Sequence, residues 1–487
     1  MSEFLPFPSR SLRTLARALP CLLALLFLGA CAVGPNYRRP EIQAPTAFRD
    51  ATNGAPVELA ELPWWSVFKD PALQELIRVA LTNSFDLGIV LTRVDQARAL
   101  QSQAESQYLP EVDYMGMASR GRNSFLTLPT YNGGRTLNGV FGGFQAVWEI
   151  DLWGRIRRMN EATRAQFMAS QESRREVSVS LVSGVAHAYF ELLALDEQRA
   201  IALRTEASYR RTFVLFEEQH ADGFASKLEL SRAKAALRAV SARIPDIERQ
   251  IAVKENEINA LLGRNPGPVS RAQTALAQEE RVDIPVGLPS TLLERRPDIR
   301  MAEQQVRAAN AEIGVAIGDF FPRIGLTTFI GTTSTDFNKV LSSSANTWSL
   351  AAATMGPVFT AGRLTARSRQ ARAACEEAKL HYQATALNAF REVSDALVTR
   401  TKLEASAALQ AEAVAAGQDA VQAATDRYAA GKASYYEVLE AQQQLFPAEI
   451  ALSQLRANRL MAMIQLYKAL GGGWPLAEFE KKTDEKR

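Results

Sequence analysis

The chain carries the same landmarks twice. Gly223-Phe224-Ala225-Ser226, followed by Leu228-Glu229-Leu230 and Ala233, returns as Gly431-Lys432-Ala433-Ser434, followed by Tyr436-Glu437-Val438 and Ala441. The offset of 208 positions (431 − 223) also carries Leu262-Gly263 onto Leu470-Gly471 and Gly154-Arg155 onto Gly362-Arg363. A slightly different offset of 212 (298 − 86) carries Asp86 and Pro110 onto Asp298 and Pro322. Landmarks repeated in one order mean a duplicated unit of about two hundred residues, far longer than the period of a solenoid or propeller. We read the repeats as residues 66–280 and 281–475. A duplicated transport or channel unit is what this arrangement first suggests.

Residues 1–30 read as a targeting signal and not as part of the fold. Arg10, Arg13 and Arg17 form a positive region, residues 22–28 form a short apolar run, and Leu28-Gly29-Ala30 precede Cys31. The pattern resembles the bacterial lipoprotein signal, in which the cysteine becomes the lipidated mature N-terminus. Gly29 stands where Ala or Ser is more usual, and an ordinary secretory signal that happens to hold a cysteine is the alternative. Ala32 follows Cys31 in place of the Asp that retains proteobacterial lipoproteins in the inner membrane, so the outer membrane is compatible. The three acyl chains of such proteins anchor firmly, since one chain alone is marginal.

Cysteine use agrees with this reading. Cys21 leaves with the leader and Cys31 is modified, which leaves Cys375 and no intrachain disulfide. Within a helical stretch, Cys375 reads as a small buried hydrophobe and not as a reactive thiol. No later segment holds 18 uninterrupted apolar residues, so no transmembrane helix is predicted. Formal net charge is +3; removing Arg10, Arg13, Arg17 and Glu3 leaves about +1. Near-neutrality, with no basic stripe interleaved with aromatics, argues against nucleic acid as a partner.

Residues 31–65 contain Pro35, Pro40, Pro45, Pro56 and Pro63 and read as an extended tether ending at Trp64-Trp65, a pair expected to pack and not to bind ligand. Asp70-Pro71 opens a helix, with Asp at the cap and Pro in the first turn. Leu73, Leu76, Ile77 and Ala80 keep helical spacing, and the signal continues from residue 86 to about 107, stopping at Pro110. The period then changes to two. Phe144, Ala146, Trp148, Ile150 and Leu152 alternate with Gln145, Val147, Glu149 and Asp151. A weaker run spans 112–119, and 121–139 reads as a loop. In the second repeat Ile324, Leu326, Thr328 and Ile330 alternate with Arg323, Gly325, Thr327 and Phe329, and Trp348, Leu350, Ala352 and Thr354 form the partner strand. Each repeat thus predicts one hairpin of roughly ten-residue strands, the length that crosses a membrane when tilted.

A very long helix follows each hairpin. Residues 154 to about 219 and 362 to about 430 hold no proline, and at 1.5 Å rise per residue each reaches about 100 Å. A turn and a returning helix come next. Leu230, Ala233, Leu237, Val240, Ile244, Ile247, Ile251, Ile258 and Leu261 keep coiled-coil spacing, with one gap at Lys254. Val438, Ala441, Leu445, Ala448, Leu452, Leu455, Leu466 and Ala469 repeat it. Pro245 and Pro447 should kink these helices or break a hydrogen bond. Residues 264–296 read as a linker, Arg295-Arg296-Pro297-Asp298 as the start of the second copy's first helix, and 476–487 as a charged disordered tail.

Backbone polar groups inside a bilayer must be satisfied, so spanning strands must close into a barrel. Single-chain barrels need at least about eight strands, and four are predicted here. Embedded hairpins therefore force oligomerisation. Two copies give eight strands and a filled interior; three give twelve and room for water. The inward polar row of Gln145, Glu149 and Asp151 suits water, but the sequence pattern does not choose between two and three.

Four clusters carry a resemblance. They are Cys31-Ala32-Val33-Gly34-Pro35-Asn36-Tyr37 with Pro40; Trp64-Trp65 with Phe68 and Asp70-Pro71; Arg295-Arg296-Pro297-Asp298-Ile299; and Arg427-Tyr428 with Gly431. Together they resemble the TolC-like outer-membrane factor family over residues 31–475, specifically the NodT-type lipoprotein branch serving resistance-nodulation-division efflux systems. The resemblance implies a mixed α+β membrane protein: a homotrimer with a twelve-stranded β-barrel in the outer membrane, continued by a long periplasmic α-helical barrel. It implies a periplasmic adaptor and an inner-membrane resistance-nodulation-division transporter as partners, and a periplasmic mouth that opens by movement of the second-repeat coiled coil. The family's gate positions fall on Arg427, Tyr428, Tyr436 and Glu440; Tyr436 departs from the usual residue, and Glu440 keeps an acid. A solvated helix turn is the plainer account of the same residues.

Asp222, at the first-repeat turn, is either a second acidic ring selecting cations or a turn residue. Trp148, Trp153 and Trp348 suit membrane interfaces or ordinary packing. His187, His220 and His381 stand alone, and no phosphate loop or nucleophile elbow is present, so neither an enzyme nor a cofactor is predicted. The resulting expectation is a passive exit duct for small molecules. A duct for type I protein secretion and a structural coiled-coil envelope lipoprotein are the alternatives; the second does not explain the one-faced hairpins.

Overall fold

The computed structural model describes residues 32–48, 70–122, 136–271 and 289–472. The leader, Cys31, Trp64-Trp65, Phe68 and the tail over 476–487 lie outside the described residues. The elements run α1 (Pro71–Asn83), α2 (Phe85–Ser106), β1 (Glu111–Arg122), β2 (Thr136–Ile150), α3 (Arg155–Ala221), α4 (Lys227–Ser241), α5 (Arg243–Leu261), α6 (Pro289–Arg295), α7 (Pro297–Gly318), β3 (Arg323–Ser334), β4 (Asn346–Met355), α8 (Arg363–Ala429) and α9 (Tyr435–Ala469). The chain divides into two compact units, and each draws on both halves of the sequence. One combines the segment up to Glu41 with Arg93–Gln171 and Met301–Tyr382; the other combines Ile42–Thr92, Glu172–Arg300 and the chain from Gln383 onward.

The first unit holds the sheet. Its four strands are antiparallel in the order β1-β2-β3-β4, so the two hairpins join through β2 and β3. The register lines up Tyr114, Phe144, Ile330 and Trp348 across all four strands. This row is 86%, 64%, 65% and 78% exposed respectively, an apolar stripe left uncovered among the described residues. The neighbouring row on that face is Val112, Ala146, Thr328 and Leu350. The opposite face carries Asp113, Gln145, Phe329 and Ser349 in one row and Glu149 with Gly325 in another. Alternation at period two therefore sorts the two faces as the sequence pattern predicts.

Two strand ends differ from that pattern. Both strands of the first hairpin extend into residues 121–139, which were expected to be loop: β1 ends at Arg122 and β2 starts at Thr136. Just beyond that stretch, glycines in the ladder make room for rings. Phe141 and Phe329 lie on either side of the Gly143–Gly331 pair and stack at 4.8 Å and 14°. A Cβ on Gly331 would stand 2.6 Å from the Phe329 ring and 2.3 Å from the Gly142 carbonyl, so only glycine lets the rings lie flat on the sheet. Asp151 is the second difference. It leaves the polar row and caps α3, its carboxylate accepting from the backbone N–H of Ile156 (3.0 Å) and Arg157 (2.8 Å). Glu149 stays at the sheet and holds Arg155 through two hydrogen bonds (3.1 and 2.9 Å).

The start of the segment after Cys31, residues 33–37, is docked against α3 and α7. Arg158, on α3, donates to the carbonyls of Val33 (3.2 Å) and Gly34 (3.3 Å) and to Asn36 Oδ1 (2.7 Å). Asn310 donates to the Pro35 carbonyl (2.9 Å), and Glu303 accepts from Tyr37 (3.2 Å) and Arg307 (2.7 Å). Burial, then Glu303, pushes the Tyr37 hydroxyl up to about 12. Trp153 donates to the Pro322 carbonyl (2.8 Å) and stacks on Phe321 at 4.7 Å, so it is packed at the helical end of the sheet. Cys375 is buried, and burial raises its thiol, which fits a packing role.

The second unit has a core of α1, the middle of α3, α5, α8 and the end of α9. Leu73, Ile77, Val185, Tyr189, Phe190, Ile258 and Leu466 are among its buried side chains. Asp70 caps α1 as predicted, accepting from Ala72 N–H (2.8 Å), and its second oxygen accepts from the buried Tyr189 hydroxyl (2.6 Å). The first heptad run is split. α4 ends at Ser241, and α5 restarts with Pro245 in its first turn, where a missing amide costs nothing. In the second run α9 continues through Pro447. The gap at Lys254 has a charge in it because that ammonium binds Glu191 (2.8 Å) and Glu257 (2.6 Å).

Residues 289–295, read as linker, form α6. Behind it Arg296 is buried and bridges three groups: Asp298 (2.7 Å), Glu392 (2.7 Å) and the Ala469 carbonyl (3.0 Å). Burial alone would lower the Arg296 guanidinium's pKa; Asp298 and Glu392 hold it up. One side chain thus ties the start of α7 to α8 and to the end of α9. Arg296→Ala should cost about 2 kcal/mol, because it leaves a carbonyl and two carboxylates without their donor. A thermal melt of the purified protein should show a midpoint several degrees lower; an unchanged midpoint would contradict this role.

Candidate functional site

The two turns that follow the long helices close in the same way. Gly223 (φ 81°) and Gly431 (φ 66°) adopt the left-handed conformation that ends a helix without a Cβ penalty. Phe224 N–H donates to the Gln219 carbonyl (2.8 Å), and Lys432 N–H donates to the Arg427 carbonyl (2.9 Å). His220 braces the first turn, donating from Nδ1 to the Ala225 carbonyl (2.8 Å). Asp222 is exposed beside Gly223.

The second turn gathers most of the predicted residues, in pairs that the sequence did not give. Arg427 faces Glu437 (3.5 Å) and donates to the Lys432 carbonyl (3.3 Å). Tyr428 meets Tyr435 edge-on at 5.2 Å, and Tyr435 meets Phe216 in the same way at 4.9 Å. The Tyr435 hydroxyl hydrogen-bonds Thr212 of α3. Arg232 of α4 lies over the Tyr436 ring at 5.2 Å. Glu440 is exposed and makes no ion pair among the described residues. The acid that meets Arg427 within the chain is therefore Glu437.

Behind these contacts lies a small core of Tyr209, Ala236, Leu237, Val240 and Leu439. Burial, followed by nearby Tyr435, pushes Tyr209 up to about 12, and burial raises Tyr435. Tyr435 is the residue that sequence reasoning missed. It joins the aromatic cluster, the hydroxyl of α3 and the start of α9, yet its position is filled by Lys227 in the first repeat, so the internal alignment gave no hint. Glu437 did carry a signal: Ser434-x-x-Glu437 repeats Ser226-x-x-Glu229, a helix-start pattern.

Tyr435→Phe should lose about 1 kcal/mol of local stability with the Thr212 hydrogen bond, whereas Tyr435→Ala should lose about 3 kcal/mol with the ring contacts. Amide exchange over residues 209–216 should speed up in that order, and equal rates in both variants would contradict the packing described. Known proteins match this architecture along its length. The family model for the outer membrane efflux protein matches residues 76–264 and 288–472. The probable efflux pump outer membrane protein TtgC of Pseudomonas putida is 34% identical over 454 residues, covering 92% of this chain and 93% of TtgC. The cation efflux system protein CusC of Escherichia coli K12 is 33% identical over 462 residues, covering 94% and 99%. The solved open state of the MtrE outer membrane channel from Neisseria gonorrhoeae superposes with a TM-score of 0.83 at 27% identity, covering 91% of this chain and 98% of that one. With both halves of the chain matched, it belongs to the outer membrane efflux protein family.

Proposed function

We propose that three copies of this chain close into a passive exit duct through the outer membrane, serving a tripartite efflux pump. The observation that carries this reading is the sheet with two bare edges. Among the described residues β1 and β4 each pair on one side only, and one face of the sheet presents Tyr114, Phe144, Ile330 and Trp348 uncovered. A bilayer has no water to satisfy an open edge, so the β1 of one copy pairs with the β4 of the next. Three copies give twelve strands, apolar rows to the lipid, and the Gln145 and Glu149 rows to a watery lumen. The lipidated Cys31 anchors each copy, and the docked segment behind it fixes where the acyl chains enter.

In this reading the second turn is the periplasmic gate, with Arg427, Tyr428, Tyr436 and Glu440 at the mouth. Arg427 is held inside its own chain by Glu437, while Glu440 is left free for a neighbouring copy. Asp222 adds an acidic ring at the first turn. An adaptor and an inner-membrane resistance-nodulation-division transporter supply the energy and select the cargo. TtgC is named for an efflux pump and CusC for cation efflux, so the names of relatives at similar identity point to no single cargo. Small molecules such as drugs are the cargo class proposed.

Two experiments test this. Phe144→Arg places a charge in the apolar row and should cost about 2–4 kcal/mol of insertion if that row faces mid-bilayer; outer-membrane recovery of the variant should collapse, and wild-type recovery would contradict the lipid-facing assignment. Arg427→Ala should raise the open fraction of the channel in planar bilayers up to about fivefold, the worth of one exposed ion pair. Absence of any conductance from the wild-type protein would overturn the duct itself.

A further inference from the structure

The two turns share a backbone but not a set of contacts. At the first, Ser226 and Glu229 form a reciprocal capping box: Glu229 N–H donates to Ser226 Oγ (3.2 Å), and Ser226 N–H donates to Glu229 Oε2 (2.8 Å). These bonds hold the Glu229 carboxyl below its ordinary value, the Ser226 backbone N–H contributing most. At the second, Ser434 has the same backbone conformation (φ −77°, ψ 153°, against −77° and 156° for Ser226), yet its side chain makes no cap hydrogen bond. Glu437, the counterpart of Glu229, has turned to Arg427 (3.5 Å). The repeats supply the control. Where the second copy has Arg427, the first has Gln219, a neutral residue with no guanidinium to draw the carboxylate away.

We propose that Glu437 is a positioning residue of the gate with two alternative partners: the Arg427 guanidinium in the state described here, and the Ser434 amide and hydroxyl once Arg427 moves away. The inference rests on the reading of this turn as the gate. An exposed ion pair and a helix cap are worth similar amounts, so the exchange is close to balanced. The turn never loses its order when Arg427 leaves, because the freed carboxylate caps α9 as Glu229 caps α4. Arg427 can then be released by the pull of a neighbouring chain or adaptor without unravelling the start of the moving helix.

Arg427→Gln copies the first repeat into the second and is the direct test, made on the full-length trimer in detergent. Amide exchange over residues 434–437 should slow about fivefold, the worth of a cap, and single-channel recordings should show more open time. Glu437→Gln keeps a capping side chain, loses the ion pair, and should move both readouts the same way. Adding Ser434→Ala to Arg427→Gln removes the hydroxyl acceptor and should abolish the protection of the residue-437 amide while leaving the extra open time. Exchange unchanged in Arg427→Gln overturns the partner exchange, even if conductance rises and the gate reading stands. Slower exchange with unchanged conductance supports the partner exchange and removes Arg427 from the gate. Protection of the residue-437 amide that survives Ser434→Ala also overturns it.

Discussion

The unpaired outer edges of β1 and β4 constrain everything else in the strand unit. Each edge presents a row of backbone N–H and C=O groups, and each such group buried in hydrocarbon without a partner costs several kcal/mol. The chain cannot place its apolar face in lipid alone. The proposed duct therefore needs a neighbour, and the sheet suits one: it is antiparallel throughout, with its two edges free at opposite sides among the described residues. The exposed row of Tyr114, Phe144, Ile330 and Trp348 is unreasonable on a soluble surface and reasonable on a barrel wall. The Gly143–Gly331 pair belongs to the same logic, since it lets Phe141 and Phe329 lie along the other face without projecting from it.

The helical unit is governed by a different constraint: duplicated helices must be held in register along their length. Apolar heptad positions supply the adhesion, and charged groups fix particular points. Arg296 locks α7 to α8 and α9; Lys254 interrupts the apolar seam of α5 to bind Glu191 and Glu257. At the turns the two repeats diverge in chemistry while keeping one backbone. The first is closed by a capping box; the second trades that cap for an ion pair and an aromatic contact from Tyr435 to Phe216 and Thr212. Duplication gave the chain two equal turns, and substitution at a few positions made one of them the mobile partner in the proposed gate.

Much of this was legible because it depends on period and punctuation. The Asp70-Pro71 cap, the proline-free helices and the glycine turns follow from local rules and appear within a residue or two of their expected places; the one-faced strands show the expected faces but run longer than expected. The misses share another cause. The extension of β1 and β2 into a Gly- and Thr-rich stretch depends on cross-strand neighbours far away in sequence. Asp151 alternates like a strand residue, but its carboxylate lies within reach of two unsatisfied amides at the start of α3. The segment after Cys31 looks like a tether because its prolines forbid regular structure; its first residues are docked because Arg158 and Asn310 supply the carbonyls of Val33, Gly34 and Pro35 with donors. At the proposed gate, the positions were suggested by resemblance, whereas the partners were not. Arg427 finds Glu437 and not Glu440, a choice made by the geometry of a turn that spacing alone does not describe.

The claim on which the account turns is that bare strand edges are completed by sister chains. The mass of the particle extracted gently from the outer membrane tests it most directly. Three chains per particle, falling to one on heating with loss of the sheet signal in circular dichroism, is the predicted result. A particle of one chain that keeps its full sheet content in a bilayer would contradict it.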